Sequence, residues 1–95
     1  MSAYDVDYAP AADRDLKRIR KSNPQAAEQI ETTVKKLAIN PRPAKSTNIV
    51  GSAGEYRLEV KGKWGSFRVR YEVHDGKLLV LVLAVADRKD IYKRK

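Results

Sequence analysis

Residues 55–92 read EYRLEVKGKWGSFRVRYEVHDGKLLVLVLAVADRKDIY. Apolar side chains fall at every second position in Tyr56, Leu58 and Val60, and again in Phe67, Val69, Tyr71 and Val73. Successive side chains of a strand point to opposite faces, so period two predicts two strands. One face collects those seven residues; the other collects Arg57, Glu59, Lys61, Arg68 and Arg70. The run 78–86 is apolar without a break, as expected of a third strand covered on both sides or nearly so. Asp75-Gly76 predicts a two-residue hairpin turn with positive φ at both positions. Residues 61–66, with Gly62 and Gly65, predict a longer basic loop. The expectation is an antiparallel meander, apolar on one side and lined with arginine on the other.

The preceding chain supplies a cover for the apolar side. Tyr4, Val6 and Tyr8 alternate with Asp5 and Asp7, which predicts a short strand joining the same sheet. Pro10 suits the first turn of a helix, and Ala12, Leu16 and Ile19 recur at helical spacing. Asn23-Pro24 is an N-cap followed by a first helical residue, and Ala27, Ile30, Val34 and Leu37 make the apolar stripe of a second helix. Asn40-Pro41 closes it, because a residue before proline avoids the α region. So short a link implies an antiparallel helix pair, which must bury its stripes on the apolar sheet face. Residues 42–53 read as a loop in which Ile49 and Val50 dock on the core, and 87–95 as a basic tail. The expected fold is one α+β domain over residues 1–95: N-terminal strand, helix pair, three-strand meander, helices on one face and an open basic face opposite.

Composition narrows the function. No cysteine means no disulfides and no thiolate zinc site, and fits a reducing compartment. His74 is the only histidine and sits beside a turn, where it is expected to be solvated, so neither metal nor cofactor is expected. No apolar run reaches membrane-span length and no signal pattern opens the chain, which points to a cytoplasmic protein away from membranes. Residues 1–40 carry a net charge of +1 and residues 41–95 one of +7. Such one-sided basicity implies a polyanionic partner, nucleic acid or an acidic protein.

In order and spacing, Y-R-L-x-V at 56–60, F-R-V-x-Y-E-V at 67–73 and D-R-K-D-I-Y at 87–92, behind D-L-K-R-I at 15–19 and a helix closed by Asn40-Pro41, resemble the RelE branch of the RelE/ParE toxin superfamily. The resemblance runs from Tyr4 to Tyr92. It implies a type II toxin, a ribosome-dependent endonuclease that cuts mRNA in the ribosomal A site and is inhibited by a cognate antitoxin. Without a metal, such cleavage proceeds by 2′-OH attack on the neighbouring phosphate, leaving a cyclic phosphate and a 5′-OH. Arginines suit the charge that builds up, since a guanidinium offers paired donors to phosphate, and one well-placed donor is worth ~3–4 kcal/mol. By the same resemblance, Arg68 is the central phosphate clamp and Arg88 the transition-state stabiliser. Tyr92 stacks on a base or moves a proton, and Arg57 takes the place of a family basic residue. Lys61, Lys63, Arg70 and Lys89 are expected to contact RNA.

Blander roles compete. Arg57 and Arg68 can be surface residues bridging to Glu59 or Glu72, which contributes little. Tyr92 can pack on the sheet edge, and Trp64 can cover a core edge or stack on RNA. The chain also departs from the RelE pattern: Glu59 stands where some members carry a second lysine, and Asp87 where many carry a basic residue. No general base is assigned. Two other functions share the fold, a ParE-like poison that binds DNA gyrase without cutting RNA, and a basic binding module with no activity. The trio Arg68, Arg88 and Tyr92 separates the nuclease from the ParE-like poison; for a binding module, substituting Arg68 is expected to weaken binding modestly and abolish nothing further.

Overall fold

The computed structural model describes residues 3–49, 51 and 54–87. The elements are β1 (Asp5–Tyr8), α1 (Pro10–Ser22), α2 (Pro24–Lys36), β2 (Thr47–Asn48), β3 (Glu55–Gly62), β4 (Gly65–His74) and β5 (Leu79–Asp87). They build one five-stranded sheet of order β1-β5-β4-β3-β2. β3, β4 and β5 form the expected antiparallel meander, and β1 lies parallel to β5. The helix pair thus carries the chain across one face, from the β1 edge to the β2 edge.

Local chemistry explains the helices. Pro10 opens α1, and Arg20 and Lys21 sit in its last turn, where cations suit the helix dipole. Asn23, the single residue between the helices, caps α2: its side chain accepts the Ala26 N–H at 3.3 Å. The stripes Ala12, Leu16, Ile19 and Ala26, Ala27, Ile30, Val34, Leu37 are buried against Leu58, Val60, Phe67, Val69, Tyr71, Val73, Val80, Val82 and Val85. Complete burial of a side chain such as Ile30 stabilises by roughly 1.5–3 kcal/mol.

Four expectations need correction. Residues 42–53 are not all loop: β2 pairs Thr47 with Arg57 and Asn48 with Tyr56. Ile49 is half-buried, and Val50 lies outside the described residues. The 61–66 segment is not a long loop, since Gly62 pairs with Gly65 and only Lys63-Trp64 turn, with Gly65 at φ 131. The β4–β5 turn is not a two-residue hairpin. Asp75–Lys77 form a 3₁₀ turn, and the left-handed residue is Leu78 at φ 50. β5 is not covered on both faces: Leu79 and Leu81 are half-buried on the face away from the helices.

The uninterrupted apolar run has a different cause. Arg70 pairs with Ala84 and Tyr71 with Val82, so Leu83 is an extra residue at a β-bulge. The bulge shifts the phase, and the core residues become Val80, Val82 and then Val85. Helix α1 supports the site: Asp15 Oδ2 accepts the Val85 N–H at 3.0 Å.

Candidate functional site

Strand register places the candidate residues. On the face away from the helices, Arg57 lies opposite Arg70, Glu59 opposite Arg68 and Glu55 opposite Glu72. Arg70 Nε donates to Glu55 Oε2 at 2.9 Å, and Lys61 Nζ stands 3.7 Å from Glu59 Oε1. The His74 side chain keeps access to water, with Nε2 2.8 Å from Glu72 Oε1. Arg57 and Arg68 make no ion pair among the described residues. The face is therefore not a plain arginine surface. Glu55, Glu59 and Glu72 match Arg57, Arg68 and Arg70 in number, because the strand period that selects the arginines selects the glutamates too.

The surplus of positive charge lies at the β3 edge. The end of α2, the segment 39–47 and β3 enclose a groove of about 1100 Å³. Arg57, Arg68 and Lys61 line it together with Lys36 and Lys45, above apolar Leu37, Ile39, Leu58 and Val60. The structure thus brings three predicted site residues into one groove. Arg70 and Lys63 are not among its lining residues. Lys63 Nζ sits 5.4 Å from the centre of the Trp64 ring at the β3–β4 turn, where Trp64 is 42% exposed. Asn23 Nδ2 donates to the Trp64 carbonyl at 2.9 Å, and Gln29 Nε2 to that of Lys61 at 3.1 Å, so both ends of this turn are tied to the helical layer. Arg88, Lys89 and Tyr92 lie outside the described residues.

A second cluster escaped the sequence reading. Arg42 donates to both carboxylate oxygens of Asp75, at 3.2 and 2.8 Å, and through Nε to the Tyr56 hydroxyl at 2.9 Å. Tyr4 donates to Asp75 Oδ1 at 2.6 Å, and Tyr71 to the Pro41 carbonyl at 2.8 Å. The Tyr56 and Tyr71 rings stack with centroids 5.9 Å apart. The bonds from Arg42 and Tyr4 hold the Asp75 carboxyl below its ordinary pKa, and donation to Asp75 raises Tyr4. Burial pushes the Tyr71 phenol up. The cluster fastens the outer wall of the groove to the β4–β5 turn. Its only sequence signal is an arginine set between Pro41 and Pro43, and nothing local pairs that arginine with a turn aspartate.

An N-terminal strand, a helix pair and the strands that follow make the general α+β arrangement of the RelE/ParE/YoeB superfamily of type II toxins. The family profile described as ParE toxin of type II toxin-antitoxin system, parDE, matches residues 6–92, and the chain belongs to that family. Among solved structures, the intact E. coli RelBE toxin-antitoxin complex aligns at 28% identity, covering 90% of this chain and 96% of that one, with a TM-score of 0.68. The RelBE2 complex from Mycobacterium tuberculosis aligns at 22% identity over 93% and 94% with a TM-score of 0.73. The YoeB/ParE toxin from Agrobacterium tumefaciens aligns at 14% over 88% and 98% with a TM-score of 0.72. No curated protein sequence matches the chain. No helix among the described residues is long and apolar enough to cross a membrane.

Proposed function

We propose that this toxin arrests growth by binding and poisoning DNA gyrase, without cutting RNA, and that a cognate antitoxin holds it inactive. The observation that carries this reading is the place of Glu59. Glu59 lies opposite Arg68 in register, its carboxylate 3.7 Å from Lys61, and so offsets part of the positive charge that a phosphate clamp would offer. A protein target accommodates interleaved charges of both signs. Membership of the ParE family supports the same choice.

The second reading is the ribosome-dependent mRNA endonuclease. It is favoured by Arg57 and Arg68 meeting in one groove with no ion pair among the described residues, and by Arg88 and Tyr92 in the D-R-K-D-I-Y segment. In it Arg68 clamps the phosphate, Arg88 stabilises the transition state, and Tyr92 stacks or moves a proton.

Controlled expression in a bacterial host separates the two. The proposal expects growth arrest, a DNA-damage response and uncut messages. New in-frame cuts in translated mRNA, lost in Arg68→Ala and Arg88→Ala, establish the second reading instead. Absence of arrest overturns both and leaves a binding module without activity.

A further inference from the structure

Trp64 is the only tryptophan of the chain, and it stands at the apex of the β3–β4 turn with 42% of its surface exposed. Turn geometry does not demand it. Gly62 pairs with Gly65, and within the turn Gly65 takes the positive φ, so the two apex positions accept most residue types. Core packing does not demand it either, because Trp64 is not among the residues packed on the buried cluster. A small polar residue would turn the chain as well and expose less apolar surface.

The turn is nevertheless fastened firmly. Asn23 Nδ2, from the helix junction, donates to the Trp64 carbonyl at 2.9 Å, and Gln29 Nε2, from α2, donates to the Lys61 carbonyl at 3.1 Å. Gly62 makes room for the second tie, since a side chain there would displace the Gln29 amide. A large apolar side chain on a fixed support loses little freedom when a partner covers it. Tryptophan is also among the residues that dominate the energy of protein interfaces. The charges around the apex narrow the partner. Lys61 and Lys63 are both exposed, and Lys63 makes no ion pair among the described residues. Its Nζ stands over the indole, 5.4 Å from the ring centre. A nucleobase stacks on an open ring face, and here an ammonium occupies one of the two. The socket that fits is apolar with carboxylates on its rim, which is a feature of a protein surface.

We propose that Trp64 is the anchor by which the toxin seats on its protein target, entering an apolar pocket whose acidic rim meets Lys61 and Lys63. This deepens the gyrase reading and rests on it: the pocket belongs to gyrase. The indole supplies the apolar contact, the two lysines orient it, and the ties from Asn23 and Gln29 hold it ready before the partner arrives.

The test uses the whole chain with 5-fluorotryptophan in place of its single tryptophan, which gives one ¹⁹F resonance, and unlabelled purified gyrase, which gives none. Binding shifts that resonance and removes its difference between light and heavy water, because the ring leaves solvent. Both ties to the turn end on main-chain carbonyls, so Trp64→Ala keeps them. That variant competes with the labelled chain about tenfold or more weakly than wild type. Should it fail to fold, Lys63→Glu reverses one exposed charge and weakens binding by roughly two- to fivefold. An unmoved resonance in a chain that binds gyrase, or Trp64→Ala competing as well as wild type, overturns the anchor and leaves the gyrase reading standing. A shift of the resonance by oligothymidine at a lower concentration than by gyrase also overturns it, and assigns the turn to nucleic acid. Gyrase that binds no form of the chain fails the gyrase reading, and the anchor with it.

Discussion

The helix-covered face of the sheet and its opposite face are made by the same strands and respond to different forces. On the covered side, the residues from both layers that form the core are apolar and nearly all inaccessible. On the other, arginines and glutamates alternate in register and remain within reach of water. Burial holds the first together, and its loss leaves a cavity. The second gains little from any one pair, because water screens exposed charges. Stability should therefore reside on one face and function on the other.

Urea denaturation gives that division its largest test. Ile30→Ala should cost about 2–5 kcal/mol, the range for emptying a core site, while Arg57→Ala on the exposed side should change stability by less than about 0.5 kcal/mol. Comparable losses would mean that the two faces do not divide the work. Asn23→Ala comes next. It removes both the α2 cap and the tie to Trp64, and should cost about 1 kcal/mol, with caps ranging over 0.5–2; an unchanged denaturation midpoint would show the cap to be idle.

The Arg42–Asp75 cluster responds to pH. Because its folded pKa is lowered, Asp75 contributes stability that is complete above the unfolded carboxyl value, about 3.9, and is lost as pH falls through the folded one. The stability difference between wild type and Asp75→Asn should accordingly shrink from neutral pH toward about pH 3. A constant difference across that range would show that the carboxylate charge does nothing there. A small effect is likewise expected of Arg70→Ala. Its exposed bond to Glu55 is worth about 0–1 kcal/mol, and a larger loss in thermal melting would show that the open face holds the fold after all.

The sequence reveals whatever depends on neighbours along the chain. Alternation in 56–60 and 67–73 marked β3 and β4, the helical stripes marked the core, and Asn23-Pro24 marked a cap that the structure bears out. Features made by distant residues stayed hidden. β2 is two residues long and exists because β3 lies beside it. The bulge at Leu83 is invisible in a run where every residue is apolar, and Arg42 meets Asp75 only after the chain has crossed the sheet. Of the predicted site, Arg57, Arg68 and Lys61 share one groove, while Arg70 turned out to be engaged by Glu55. Strand period alone could assign Arg70 to a face but not to a partner. The roles given to Arg88, Lys89 and Tyr92 rest on the D-R-K-D-I-Y segment, whose residues from Arg88 on lie outside the described structure.

The most direct test is to titrate purified toxin into a DNA supercoiling reaction run by purified gyrase, alongside a cell-free translation reaction whose mRNA 5′ ends are mapped. The proposed function predicts loss of supercoiling with accumulation of cleaved DNA, and intact messages at the same toxin concentration. Unimpaired supercoiling together with codon-phased mRNA cuts that disappear in Arg68→Ala would contradict it, and would show that Arg68 clamps a phosphate despite the carboxylate of Glu59 opposite.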